Sequence, residues 1–272
     1  MAEMNLSFSG SIPQLYDRYL GPVLFEPYAA DLVSRVVAQA APGPVLELAC
    51  GTGIVTQQLR AQLPPTVELV ASDLSQPMLD YARAQLATLQ QVEWKQADIA
   101  ALPFVDGAFA AAVCQFGLMF VPDKQAAFRE ARRVLRTGGV FAFNVWDGIA
   151  ANPFARIAHE TLATLFPADP PQFLVPFTFN DHAVLRQLLS THDFRDIQIE
   201  TVTLEARSES AQALAMGFVQ GSPLSAAIQE RGASFESVVT AVTEAFAQHG
   251  GAAPFRSTLQ AVVVTARAGG GE

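Results

Sequence analysis

The run Val45-Leu46-Glu47-Leu48-Ala49-Cys50-Gly51-Thr52-Gly53 packs three pieces of structure into nine residues. Residues 45–48 form a short, mostly apolar strand. The glycines behind it make a turn, and residues 54–62 continue with helical character. A strand that passes through such a turn into a helix aims backbone N–H groups and the positive helix end at a ligand. Small residues are needed there because a side chain would block close approach. A dinucleotide fingerprint would carry a third glycine at position 56, but Thr56 stands there.

Outward from this run, strand-like and helix-like stretches alternate between residues 43 and 145. Strands are expected at 67–72, 92–96, 109–115 and 139–145 in addition to 45–48. Residues 76–89 carry Met78, Leu79, Ala82, Leu86 and Leu89 near helical period, and 124–135 reads as a helix capped by Asp123 and closed at Gly138-Gly139. Strands that alternate with helices require crossovers, and so a parallel sheet covered on both faces. The stretch 109–115 is almost wholly apolar, which suits a central strand. Beyond Val145 the rhythm changes to an amphipathic helix over 152–165, a stretch holding Pro167, Pro170, Pro171 and Pro176, and a helix over 181–191. An alternating strand with Ile197, Ile199, Val202 and Leu204 follows, then helices near 211–220 and 235–248, then a strand over 258–266. The helical insertions are natural lids.

Composition narrows the partners. The chain has 272 residues, 50% of them hydrophobic and 16% charged, with a net charge of −9, and a mean hydropathy of +0.24. That excludes an intrinsically disordered chain. No Lys/Arg-rich run exists to displace the counterions of a nucleic acid, so none is expected as partner. The longest apolar stretch, 109–121, is broken by Gln115 and Gly117 and falls short of the roughly 20 residues a membrane span needs. The beginning of the chain lacks the basic and apolar regions of a signal peptide. Cys50 and Cys114 make neither a disulfide framework nor a metal pattern. A cytoplasmic protein without a structural metal, monomer or homodimer, is expected, with its excess hydrophobicity in core or pocket.

Acids recur at strand ends. Asp73 stands 20 residues past Gly53, where a carboxylate can accept both hydroxyls of a ribose. Asp98 ends the next strand, where a nucleobase amino group would lie. A parallel sheet binds ligands at the carboxyl ends of its strands, so Glu47, Asp73, Asp98 and Gln115 should line one edge.

With these residues in place, the chain resembles a class I S-adenosylmethionine-dependent methyltransferase of the small-molecule, type 11-like kind. Glu47-Leu-Ala-Cys-Gly-Thr-Gly53 is similar to that family's glycine motif, and Ala71-Ser-Asp-Leu-Ser-Gln-Pro-Met-Leu79 to its ribose and adenine motif. Leu102-Pro-Phe104 with Phe109, and Arg133-Val-Leu-Arg-Thr-Gly-Gly139, resemble its later landmarks. Ala110 and Thr137 depart from the usual Asp and Pro. The resemblance implies an α/β fold, Rossmann-like and doubly wound, with a mostly parallel seven-stranded sheet and helical cap insertions. It implies one domain with an N-terminal helical strap at 1–42, a cofactor-binding core at 43–146, a first lid insertion and helix at 147–195 and a second helical cap at 208–256. It also implies S-adenosylmethionine as cofactor. Gly51 and Gly53 would admit its methionine part, Glu47 would orient the loop and the amino group, and Asp73 would hold the ribose. Met78 would pack on the adenine, Asp98 would bond its amino group between Ala97 and Ile99, and Gln115 would sit near the sulfonium. Tyr16, Arg18 and Tyr19 resemble a strap closing over the cofactor.

The sulfonium already activates the methyl group, so the protein has mainly to align a nucleophile and exclude water. A phenol or enol acceptor gains from a positioned base. His159, in the first lid helix, and Asp147, just past the fifth strand, are the candidates; His182, His192 and His249 read as structural. Twelve of the 19 phenylalanines fall between Phe104 and Phe179. Of these, Phe154, Phe173, Phe177 and Phe179 lie outside the sheet, where a pocket lined by them would favour a small, flat or apolar acceptor. The alternatives are a non-catalytic protein that binds S-adenosylmethionine and a methyltransferase acting on a macromolecule. A nicotinamide-dependent oxidoreductase is disfavoured by Thr56.

Overall fold

The computed structural model describes residues 12–171 and 173–270. Residues 1–11 of the expected strap, and Gly271 at the end of the glycine tail, lie outside them. The described chain forms a seven-stranded sheet: β1 (Val45–Leu48), β2 (Leu69–Asp73), β3 (Val92–Gln96), β4 (Phe109–Gln115), β5 (Leu135–Trp146), β6 (Phe194–Ser208) and β7 (Phe255–Ala268). Their order across the sheet is β3-β2-β1-β4-β5-β7-β6. The first five strands pair in parallel, with Leu48 opposite both Ser72 and Cys114, while β5 and β7 are antiparallel. The strand order reverses between β1 and β4, which is where an open α/β sheet leaves a crevice at its carboxyl edge.

Alternation along the strands assigns the two faces. Val45, Leu69, Ala111, Val113, Val140 and Ala142 share a core with Ala29, Leu32, Val33 and Val36 of α2 (Glu26–Gln39) and Val55 and Leu59 of α3 (Ile54–Gln62). On the side chains between them, Phe128 of α5 (Lys124–Val134) packs edge-on to Phe141 and Phe143, at 5.9 and 5.6 Å. β4 is buried over its first six residues, so its near-continuous apolar run is that of a strand covered on both faces.

The chain divides into two compact units. One holds Tyr28–Asp147, Val175–Val202 and the residues from Ala261 onward; it contains α2, α3, α4 (Gln76–Gln85), α5 and α7 (His182–Thr191). The other holds the described residues up to Pro27, Gly148–Leu174 and Thr203–Gln260, with α1 (Ile12–Leu15), α6 (Pro153–Leu165), α8 (Ala211–Gln220), α9 (Leu224–Glu230) and α10 (Phe235–Gly250). These boundaries differ from the expected ones for a packing reason. The expected strap, 1–42, loses α2 to the sheet unit because its Ala29–Val36 stripe is core there. The expected lid at 147–195 likewise gives up α7, whose Leu185, Leu188 and Leu189 are buried.

Two local differences also have physical causes. Gly138-Gly139 does not stop α5; the helix ends at Val134, Leu135 is already extended, and it registers with Phe109. The glycines instead make an irregularity inside β5, with Gly138 at φ +75°. Tyr16–Phe25 is a ten-residue π-helix rather than an α-helix, with Glu26 N–H donating to the carbonyl of Gly21. Pro22 inside it cannot donate and would crowd the carbonyl four residues back, which the wider turn relieves. Tyr16 stacks on Phe25 at 4.7 Å. Gly217 and Gly221 of α8 lie against this stretch, a Cβ on Gly217 falling 2.7 Å from that of Tyr19.

Candidate functional site

The glycine turn is built from left-handed residues. Ala49 has φ +52°, Gly51 +55° and Gly53 +89°. Cys50 N–H donates to the carbonyl of Ser72, and Gly53 N–H to that of Cys50, which ties the turn to β2 and closes it. The two glycines have different neighbours. A Cβ added to Gly51 would meet nothing within 4 Å, so this position faces open space. A Cβ on Gly53 would lie 2.6 Å from Leu86 Cδ1 and 3.3 Å from Ala82 Cβ. Gly51 thus leaves a cradle, while Gly53 lets α3 start against α4. Gly51→Ala is therefore expected to weaken cofactor binding at least tenfold while costing about 1 kcal/mol of stability. Gly53→Ala should instead lower Tm by several degrees at matched cofactor affinity per folded molecule. Thermal melting and calorimetric titration of both variants check the pair.

Two acids flank the cradle. Asp73 accepts from Gly51 N–H with Oδ2 and from Ser75 N–H with Oδ1, each at 2.8 Å. Burial raises its pKa against the pull of these bonds. Glu47 is 2% exposed, and Thr56 Oγ1 donates to its Oε2 at 2.5 Å. Burial, reinforced by the charge of Asp73, pushes Glu47 up to about 8, against the opposing bonds from Thr56. At neutral pH Glu47 is therefore largely a neutral acid. Thr56, whose presence argued against a dinucleotide fingerprint, is the partner of this acid; nothing in the sequence alone marked it for that role.

The remaining residues of the expected edge fall in the same unit. The carbonyl of Asp73 accepts from Ala97 N–H at 3.0 Å, which joins the ends of β2 and β3. Asp98 is exposed, with Oδ1 accepting from Ala100 N–H at 2.8 Å. Its sequence neighbours Ala97 and Ile99 are buried, as is Met78 on α4. Gln115 ends β4 opposite Asn144. Cys50 and Cys114 are buried thiols; burial holds Cys114 up to about 12 and Cys50 well above its ordinary value, so neither is a nucleophile at neutral pH. Tyr16, Arg18 and Tyr19 belong to the other unit, with the Arg18 guanidinium over the Tyr19 ring at 5.0 Å.

Of the two candidate bases, Asp147 belongs to the sheet unit, where Asn180 Nδ2 donates to its Oδ1 at 2.8 Å. His159 is in the other unit, half-buried on α6 next to the buried stripe of Ala155, Ala158 and Leu162. The four phenylalanines outside the sheet divide among three groups. Phe154 and Phe173 both meet Phe218 edge-on, at 6.1 and 5.8 Å. Phe177 lies 6.5 Å from Trp146, and Phe179 sits edge-on to Phe128 under the Lys124 ammonium. An aromatic group not foreseen from sequence stands at the carboxyl ends of β4 and β5. Phe116 stacks on Trp146 at 4.0 Å, and Tyr28 meets both edge-on at 5.5 Å.

A doubly wound sheet with a glycine cradle and acids toward the carboxyl ends of successive strands is the arrangement of an enzyme that uses a nucleoside-bearing cofactor. A family model described as a methyltransferase domain matches residues 45–139. A demethylmenaquinone methyltransferase of Lactobacillus johnsonii is 30% identical over 175 residues, which cover 59% of this chain and 71% of that protein. One from Staphylococcus aureus is 32% identical over 132 residues, 48% of this chain and 55% of that protein. Among solved structures, phosphoethanolamine N-methyltransferase 2 of Haemonchus contortus, in complex with phosphomonomethylethanolamine and S-adenosylhomocysteine, matches with a TM-score of 0.60. It does so at 12% identity, over 95% of this chain and 57% of that one, a likeness of fold. The chain belongs to the class I S-adenosylmethionine-dependent methyltransferases. Its cofactor is S-adenosylmethionine, and the residues present suit it: an open cradle at Gly51 beside the half-buried Asp73 and the buried Glu47 accommodates a cationic, ribose-bearing group. Among the described residues, no helix is long and apolar enough to cross a membrane.

Proposed function

We propose that this enzyme methylates a small acceptor with an apolar or aromatic body. The observation that carries the proposal is the aromatic group of Phe116, Trp146 and Tyr28 at the ends of β4 and β5, on the side of β1 away from β2, with β4 adjacent to β1. When bound, the cofactor supplies an activated methyl group. Gly51 gives it room, Asp73 holds the ribose hydroxyls, and Glu47 faces the methionine end, where ionisation of its carboxyl would balance positive charge. Met78, Ala97 and Ile99 surround the adenine with Asp98 at its amino group, and Gln115 borders the sulfur. Gly53 serves by shaping the loop. Tyr16, Arg18 and Tyr19 of the N-terminal strap are the remaining cofactor candidates. Asp147, oriented by Asn180, takes the acceptor proton, with His159 as the second candidate.

The relatives named for demethylmenaquinone make a quinol ring the first acceptor to try. Methyl transfer from labelled S-adenosylmethionine should be measured on three sets: demethylmenaquinone and small phenols, aliphatic amines, and RNA or protein. Turnover confined to the first set is expected. Turnover confined to either of the others would overturn the assignment.

A further inference from the structure

Asn144 is the sole polar residue between positions 140 and 146 of β5, and it is fully buried. Its Oδ1 accepts from Phe116 N–H at 3.0 Å, and its backbone carbonyl accepts from the same N–H at 3.1 Å. Its Nδ2 is also buried and has no partner among the described residues. A half-satisfied buried amide costs stability, and an apolar side chain of the same size would not carry that cost. The fold therefore gives no reason for an asparagine here.

The group it holds supplies one. Phe116 has φ +50°, a left-handed conformation that a bulky residue rarely adopts. It opens the turn after β4, directly after Gln115. The next residue, Gly117, has room for no side chain: a Cβ would fall 2.5 Å from Ala49 Cβ and 2.9 Å from Cys114 Sγ. Ala49 is itself left-handed and opens the glycine turn. Two strained residues at the ends of neighbouring strands thus interlock through Gly117, and Asn144 fastens one of them.

We propose that Asn144 is a positioning residue for methyl transfer: by holding Phe116 N–H it fixes the turn after β4 and, through Gly117 on Ala49, the loop that receives the cofactor. The proposal rests on the assignment of that loop as the cofactor cradle. The test uses the full chain with Trp94→Phe, so that Trp146 is the one tryptophan left, and compares Asn144→Leu with Asn144→Asp at pH 6. At that pH a buried aspartic acid stays neutral and keeps the accepting oxygen. Near-ultraviolet circular dichroism reads the Phe116–Trp146 stack, calorimetry reads S-adenosylhomocysteine affinity, and melting reads stability.

Asn144→Leu is expected to melt at or above the parent temperature, to lose the Trp146 band and to bind at least tenfold more weakly. Asn144→Asp should keep the band and bind within threefold of the parent. Parental affinity in Asn144→Leu overturns the proposal, and so does its failure to fold, which would leave Asn144 a role in stability alone. Equal losses in both variants also overturn it. If the parent itself does not bind S-adenosylhomocysteine, it is the cradle assignment that fails, and the hold on the turn is still read from the Trp146 band.

Discussion

Replacing Asp73 by alanine is expected to weaken S-adenosylhomocysteine binding by at least a hundredfold. The carboxylate has two jobs, and alanine removes both. Oδ2 holds Gly51 N–H and Oδ1 holds Ser75 N–H, so the cradle and the start of α4 are both pinned to the end of β2. Hydrogen bonds to a charged group contribute about 1.5–3 kcal/mol each, and a bond to the ribose would be lost in addition. The same deletion relieves a partly desolvated charge, since desolvation raises the Asp73 pKa. Tm should therefore change much less than affinity does. Asp73→Asn separates the jobs: it keeps one accepting oxygen but sets an amide against an N–H donor, and a tenfold to hundredfold loss is expected. Calorimetry on the two variants is the check, and unchanged affinity in Asp73→Ala would remove this residue from the site.

The second large effect belongs to Glu47 and depends on pH. Its folded pKa is raised from 4.5 to about 8 by burial and by the neighbouring charge of Asp73. Between those values the folded protein keeps a proton that the unfolded chain has released. Stability therefore falls as pH rises from about 4.5 to about 8, and the loss stops once the folded form also ionises. At about 1.4 kcal/mol per pKa unit the loss amounts to several kcal/mol. Glu47→Gln has no such proton to lose. The variant should match the wild type near pH 4, become progressively more stable up to pH 8, and hold a constant lead above that. Melting curves across this range test the sign as well as the size; a wild type that gains on the variant as pH rises would refute it. With the cofactor the sign reverses. A positive ligand favours the ionised acid, so wild-type affinity should rise from pH 6 to pH 8 and binding should release protons. Glu47→Gln should show neither effect.

What the sequence disclosed follows from how local the controlling physics is. The turn at Gly51, the helix behind it and the strands 92–96 and 109–115 were legible because glycine placement and apolar runs act over a few residues. The acids at the strand ends were legible because a parallel sheet puts those ends on one edge. The start of β5 was not, because Leu135 is extended by pairing with Phe109, a contact that local pattern does not carry. The π-helix escaped for a related reason: no local period separates it from an α-helix, and only Gly21-Pro22 hints at the wider turn. The short helix α9 offers too few residues for a period to show. Thr56 and the proposed positioning residue Asn144 were missed because each is marked by a hydrogen bond to another element, to Glu47 and to Phe116. An isolated asparagine inside an apolar strand was the one available signal for the latter.

The strand order β5-β7-β6 has a consequence for how the chain is made. The last of the seven strands to be made enters the sheet between two that precede it in the chain. Until Phe255–Ala268 emerges, β5 has an open edge, and β6, fifteen residues long, has nothing within the sheet to pair with. A nascent chain can therefore assemble the first five strands and their helices, but must keep β6 and the exposed side of β5 apart until β7 emerges. Loss of β7 would remove two strands, since β6 reaches the sheet only through it.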